Sequence, residues 1–337
     1  MTAARHPTVA ATAAEPAGAP AAPSPLPAPG AAWGGSVMGL AITGSLLAVL
    51  PGAGAAAGTA VTAVAAVVLV VLLAGAVRAP RFDDVPGWSM MTMGLLALGS
   101  AVDTTLGWTG VHTVTWVTGS VAAVAVFAVQ GLRLLRGRVP ALFPGVLPLV
   151  APMVASTNAA QLGHPLPGTV LFFLSLVTAL PAFVRVYAGA GRHPAPDLAA
   201  TTWIPLGVVG QSSAAALLLT DGGTAGICYA AVMLGLGVPA AGWALCHHWG
   251  ALLRPDRPSF NPSWWAATFP VGTCSLGTRT LAGATGLGWP DAVSTGLTAL
   301  LCLHVLLAVA GLAWHLAASV RSRFFRRPVL PVLDQHR

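Results

Sequence analysis

The 337-residue chain is 55% hydrophobic and only 7% charged, with a mean hydropathy of +0.78. A soluble domain carries about a quarter charged residues, so this composition excludes one and leaves no length for a separate soluble catalytic domain. The net charge of +7 and the pI of about 10.6 come from short segments between apolar stretches, not from a basic face with interleaved aromatics, which sets nucleic-acid binding aside.

In chain order, residues 1–30 come first. They are mostly Ala and Pro, with Arg5 and Glu15 as the side-chain charges. The prolines between Pro16 and Pro29 break any apolar core of the secretory-signal kind, so the segment reads as a disordered cytoplasmic tail. Ten apolar stretches follow, each near the length of about 20 residues that a helix needs to cross a bilayer. They run over 33–50, 57–76, 88–106, 112–132, 142–162, 169–187, 202–219, 226–249, 263–287 and 292–319. The odd-numbered spans start about every 55 to 60 residues, a period in hydropathy that suggests five repeated hairpins. Residues 31–320 thus form one ten-helix transmembrane domain, and 321–337 form a short basic cytoplasmic tail.

The loops set the orientation. One set of gaps holds Arg78 and Arg81, then Arg133, Arg136 and Arg138, then Arg192, then Arg254 and Arg257, and the C-terminal Arg321, Arg323, Arg326 and Arg327. Arg185 ends the sixth span on this same side. The opposite gaps hold no arginine, only Asp103, Asp221, Asp291 and some histidine. Positive charge stays on the cytoplasmic side, which puts both termini inside a cell (inner or plasma) membrane.

Odd and even spans differ in texture. Glycine and proline collect in the odd ones, including Gly39, Gly44, Pro152, Pro205, Pro270 and Gly272. Broken backbone survives in a membrane where neighbours or water satisfy it. Two readings stay open: kinked inner helices around a passage, or close helix packing through small residues.

The cysteines, Cys228, Cys246, Cys274 and Cys302, contain no CxxC pair, so neither a metal site nor a disulfide framework is indicated, and they read as small packing residues. Arg279 is the arginine lying well inside a span, and intramembrane charges are functional candidates. It either attracts anions to an outer mouth, snorkels to the interface, or pairs with Asp103, Asp221 or Asp291. Helical phase puts Phe269, Thr273, Leu276 and Thr280 on one face. Thr43, Thr157, Asn158, Gln211 and Ser212 supply hydroxyls and amides in other odd spans. Neutral donors with a weakly positive lumen suit anion selection by size and dehydration, although any one threonine can instead bond its own backbone. No Asp or Glu lies deep in a span, which argues for a channel-like conduit over a strongly proton-coupled pump. His304 and His315 share a face of the tenth span, a spacing found in membrane haem proteins. His247 and His248 can face His315, but the sequence offers nothing to face His304. No nucleophile–base set, metal motif or phosphate loop points to an enzyme, and no cofactor is implied.

The most specific run is Trp264-Trp265-Ala266-Ala267-Thr268-Phe269-Pro270-Val271-Gly272-Thr273 in the ninth span. With Val37 to Gly44 in the first span, Pro148 to Ala155 in the fifth and Trp203 to Gln211 in the seventh, it resembles the tellurite-resistance/dicarboxylate transporter family. That family includes plant slow anion channels and fungal malate and sulfite transporters. The resemblance implies an all-α integral membrane fold of five helical hairpins in quasi-fivefold symmetry around a central pore, lined by the odd helices, and a homotrimer with one pore per subunit. It also implies that a phenylalanine plugs the pore, and Phe269 is the matching position. Pro270 directly after it is expected to bend the helix there. The implied function is a membrane anion channel or secondary transporter for chloride, nitrate, sulfite, tellurite or small dicarboxylates such as malate. A proton-coupled dicarboxylate or sulfite carrier is the alternative, and a haem electron-transfer protein a distant one.

Overall fold

The structure, a computed structural model, describes residues 26–189, 193–255 and 258–325. Most of the expected N-terminal tail, most of the C-terminal one, and Arg192, Arg257, Arg326 and Arg327 of the orientation argument lie outside these residues. Ten α-helices and no strand make up the described residues. They are α1 (Gly34–Ala48), α2 (Gly54–Arg78), α3 (Val85–Leu106), α4 (Thr109–Leu135), α5 (Leu147–Gln161), α6 (Pro165–Ala188), α7 (Ile204–Leu219), α8 (Thr224–Leu252), α9 (Thr268–Thr285) and α10 (Gly288–Phe325). The last continues several residues past the expected end of the tenth span.

Each odd helix turns into the next even one through two to five residues. Every one of these turns holds a glycine with positive φ: Gly52, Gly107, Gly163, Gly222 and Gly286. A side chain at that φ would press on the following carbonyl, so glycine closes the helix at little cost and lets the chain reverse at once. The paired helices pack together, α1 on α2 through α9 on α10, and each of α2, α4, α6, α8 and α10 also touches the next odd helix round, α10 returning to α1. The odd helices contact one another in order, α1 to α3 to α5 to α7 to α9, and α9 closes back on α1.

Composition explains which helices go inside. The odd helices cross at backbone distance, and glycine permits it. A Cβ on Gly210 of α7 would collide with the Thr273–Cys274 peptide of α9, one on Gly272 of α9 would press into the Ile42 side chain of α1, and one on Gly39 of α1 would meet Thr268. In lipid, such van der Waals fit between small residues is what holds helices together. The even helices carry Val and Leu outward, with Val67, Val121, Val177, Leu236 and Leu306 all exposed. So large an apolar surface belongs against hydrocarbon, and the chain is a multi-pass membrane protein.

Nine helical segments of the described residues are long and apolar enough to cross a membrane, and α9 is not one of them. It is the span that carries the Thr/Ser-rich run, and it does not need to be apolar because it faces protein. It packs against α1, α7, α8 and α10, and its hydroxyls are satisfied internally. Ser275 Oγ lies 2.9 Å from Ser294 Oγ and 2.8 Å from Thr298 Oγ1 of α10, and Thr278 donates to Cys274 O at 2.9 Å.

Four of the odd helices are entered through a 3₁₀ segment, at Ala31–Trp33, Phe143–Val146, Pro196–Trp203 and Pro262–Ala267. At Pro205 and Pro270, where a bend was expected, the helix changes from 3₁₀ to α pitch. Pro205 is the second residue of α7 and Pro270 the third of α9, first-turn positions whose missing N–H has no intrahelical acceptor to lose. Among the odd helices only α5 has a proline inside it, Pro152.

Candidate functional site

The entry to α9 is fixed before its chemistry begins. Asn261 caps the 3₁₀ turn by accepting from Ser263 N at 2.8 Å, while Asn261 Nδ2 and Ser263 Oγ donate to Asp197 O at 3.1 and 2.7 Å. The segments leading into α7 and α9 are thereby tied together. Trp265 is buried beside Gly35 of α1, and one helical turn on, Phe269 is buried at the centre of the ring of odd helices, 5% exposed.

Two cavities meet at that ring. The larger, about 140 Å³, is lined by residues of all five odd helices, mostly from their middles and C-terminal halves, with Phe269 from the start of α9. Its polar wall consists of Ser45, Ser100, Thr104, Thr157, Asn158, Gln161, Gln211 and Arg279, with no Asp or Glu. The smaller, about 30 Å³, lies toward the N-terminal ends of the odd helices and is apolar, with Met38, Met90, Val150, Ile204, Trp265 and Pro270 among its lining. Phe269 lines both, and no other residue does.

Of the residues singled out from sequence, Phe269, Leu276, Thr157, Asn158, Gln211 and Arg279 meet in the larger cavity and Pro270 lines the smaller. Thr43, Thr273, Thr280, Gly272, Pro152 and Pro205 line neither. Thr43 Oγ1 donates to Gly39 O at 2.6 Å, Thr280 Oγ1 to Leu276 O at 2.9 Å, and Thr273 Oγ1 to Pro270 O at 2.8 Å. Thr273 is turned to the α7 crossing, 3.5 Å from Gly207 O. The lining face of α9 is therefore Phe269, Leu276 and Arg279. Arg279 is partly exposed at the mouth, with Nη1 3.5 Å from Asp291 Oδ1 and Nη2 donating to Val49 O at 3.3 Å. Lining the mouth and pairing with an aspartate are thus both true of it.

The sequence reading missed a chain of polar groups behind the cavity wall. Asp103 Oδ2 lies 3.1 Å from Nδ1 of His112, whose Nε2 lies 2.8 Å from Asn158 Oδ1. His112 is buried, Thr109 Oγ1 holds the other Asp103 oxygen at 2.8 Å, and Asn158 Nδ2 donates to Val154 O at 2.9 Å. The one available signal was an aspartate and a histidine flanking the short α3–α4 turn.

His304 also needs a correction. It is not unopposed: its ring lies 5.5 Å from that of His248 and 5.0 Å from that of Trp203, and its Nε2 accepts from Trp249 Nε1 at 3.3 Å. Trp203 Nε1 in turn donates to His248 Nδ1 at 3.1 Å. Indole hydrogen bonds occupy a nitrogen of each imidazole, and the cluster is packed aromatic against aromatic. His315 lies beside Phe260, ring centroids 6.4 Å apart, and not against His247 or His248. Among the described residues no three His, Cys, Asp or Glu are grouped to hold a metal ion. The cysteines are free there; Cys274 is buried as a packing residue, whereas Cys228 and Cys246 are exposed on α8.

No curated protein matches the chain. The model of the voltage-dependent anion channel family (SLAC1) matches residues 30–313, from the entry to α1 to about two thirds of the way along α10. With that span, the chain belongs to the SLAC1 family of voltage-dependent anion channels.

Proposed function

We propose that the chain conducts small anions through a pore along the axis of the odd helices, closed at Phe269. The partition of the axis supports this most: one aromatic ring separates a polar cavity from an apolar one, and it alone borders both. The lining of the polar cavity fits anions in particular, since it presents amides, hydroxyls and a guanidinium but no carboxylate.

In this reading the paired helices are five hairpins in quasi-fivefold arrangement around the pore. The five left-handed glycines and the closed cycle of odd-helix contacts favour it. Both termini face the cytoplasm of a cell membrane, and three subunits assemble with a pore in each. Chloride, nitrate, sulfite, tellurite and small dicarboxylates such as malate are the candidate cargoes. Reconstitution into liposomes tests the reading: Phe269→Ala raises anion flux well above wild type, and equal fluxes would remove the gate. An imposed proton gradient in the same vesicles separates conduction, which ignores it, from proton-coupled carriage, which is driven by it.

A further inference from the structure

Both ring nitrogens of His112 face oxygen. Nδ1 lies 3.1 Å from Asp103 Oδ2, and Nε2 lies 2.8 Å from the side-chain amide of Asn158. Which amide atom that is follows from its other end. The Val154 carbonyl can only accept, so the Asn158 atom 2.9 Å from it is Nδ2 and the one facing the ring is Oδ1. Oδ1 carries no proton, so Nε2 does. Nδ1 and Asp103 Oδ2 then need a proton between them, since two facing lone pairs repel. A carboxylic acid gives up its proton roughly two pH units before an imidazolium does, which leaves this one on the ring. Thr109 Oγ1 donates to the other Asp103 oxygen at 2.8 Å, as suits a carboxylate.

The pair stands directly behind the cavity wall. Asn158 lines the polar cavity, His112 is buried behind it, and Asp103, in the last turn of α3, is partly exposed. Few other charges surround the ring. The helices packed on α4 are α3 and α5; Asp103 is the one titratable residue of α3, and α5 has none. On α4 itself, Arg133 lies at the far end. One turn from His112, Trp116 carries the ring of His164 stacked on it, with centroids 4.7 Å apart.

We propose that His112 is a buried imidazolium, and that the Asp103–His112 pair is a proton-controlled charge through which alkaline medium slows conduction. The effect on conduction rests on the anion-pore reading above; the charge state of the ring does not. While the ring holds both protons the pair is neutral. Loss of the Nδ1 proton to solvent, past the partly exposed Asp103, sets a bare nitrogen against the carboxylate and leaves the pair with one negative charge. A charge of that sign roughly 8 Å from the ion path in a water-like medium lowers the local anion concentration about twofold. Salt screens the effect.

Two measurements test this. Solid-state NMR of the full wild-type chain in bilayers, with isotope-labelled histidine and aspartate, reads the ring beside a carboxylate, which among the described residues is His112. Near neutral pH both of its nitrogens should be protonated, and one should lose its proton as the pH rises. A bare nitrogen near neutral pH, or a ring that keeps both protons throughout, overturns the proposal without any variant. In liposomes of the full chain carrying Phe269→Ala, with the same pH on both sides, flux should fall about twofold across the range in which imidazoles titrate. Adding Asp103→Asn should hold flux about twofold higher at the alkaline end, because the pair is then never negative. Adding His164→Gln should leave the profile intact; if it abolishes the profile instead, the stacked histidine is the sensor and the proposal falls. If Phe269→Ala conducts with a profile that Asp103→Asn does not change, the ions do not feel the pair, and the proposal falls while the gate stands. If Phe269→Ala does not conduct, the gate reading fails and takes the effect on flux with it, while the imidazolium stands or falls on the NMR.

Discussion

Arg279 in the C-terminal half of α9 and Asp291 in the first turn of α10 face each other at 3.5 Å beside the two-residue turn that joins their helices. Both side chains are partly exposed, so the pair itself adds little to stability. Its consequence is electrostatic: the carboxylate offsets part of the one cationic charge that lines the polar cavity.

Opposite effects therefore follow from removing either partner. Arg279→Gln should lower anion flux at low ionic strength, and Asp291→Asn should raise it. A unit charge about 8 Å from the ion path in a water-like medium is worth roughly 0.5 kcal/mol, or about twofold in local anion concentration. Both effects should fade at high salt, where the screening length falls to about 3 Å. Liposome flux measured at several ionic strengths checks this. If both substitutions move flux the same way, the pair serves the fold and not the field.

Glycine placement predicts where the fold is intolerant. Gly210→Ala drives a methyl group into the Thr273–Cys274 peptide, and neither backbone can yield without parting α7 from α9. A cost of about 1–3 kcal/mol is expected for such overpacking, seen as a lowered Tm in detergent. Gly242, exposed on α8 with nothing near its Cβ position, is the control. There alanine should leave Tm unchanged or raise it slightly, by up to about 1 kcal/mol of helix propensity.

Orientation is checked by cysteine labelling in a background freed of native cysteines. Ala53 lies in an odd-to-even turn, Thr224 opens α8 directly after another, Ala79 lies in an even-to-odd connection, and all three are exposed. Cysteines at Ala53 and Thr224 should react with an impermeant reagent in intact cells, and one at Ala79 only after permeabilisation. Labelling of Ala79 from outside would reverse the positive-inside assignment.

Much of this architecture was legible because it is written in hydropathy. Ten spans and the Gly/Pro texture of the odd ones follow from local composition, whereas Phe269 was singled out only through the resemblance of its motif to a known family. Helical phase also placed Leu276 with Phe269. It failed at Thr273, where the crossing of α7 through Gly210 claims that side of α9, and at Arg279, whose long side chain reaches a cavity that the short Thr280 beside it does not. The 3₁₀ entries that place Pro205 and Pro270 in the first turns of α7 and α9 were not legible, because a first-turn proline and an interior one look alike in sequence. The Asp103–His112–Asn158 chain joins residues 9 and 46 positions apart, and no periodicity in one helix reveals a contact among three. The five turn glycines were not singled out, because a left-handed φ is a property of the backbone that hydropathy does not carry.

The remaining prediction separates a gate from a packing residue at Phe269. A buried Phe in a close-packed core costs about 3–5 kcal/mol when cut to alanine, because its contacts vanish and a void replaces them. Phe269 already borders a cavity on either side, so it has fewer contacts to lose. The series Phe269→Leu, Phe269→Val and Phe269→Ala should therefore raise anion flux step by step as the side chain shrinks, with Tm falling far less than a core truncation demands. Paired flux and thermal-unfolding measurements on the same preparations decide the matter. A Tm that drops in proportion to the volume removed, with flux flat across the series, would mark the ring as packing between α1, α7 and α9 and move the barrier elsewhere along the axis.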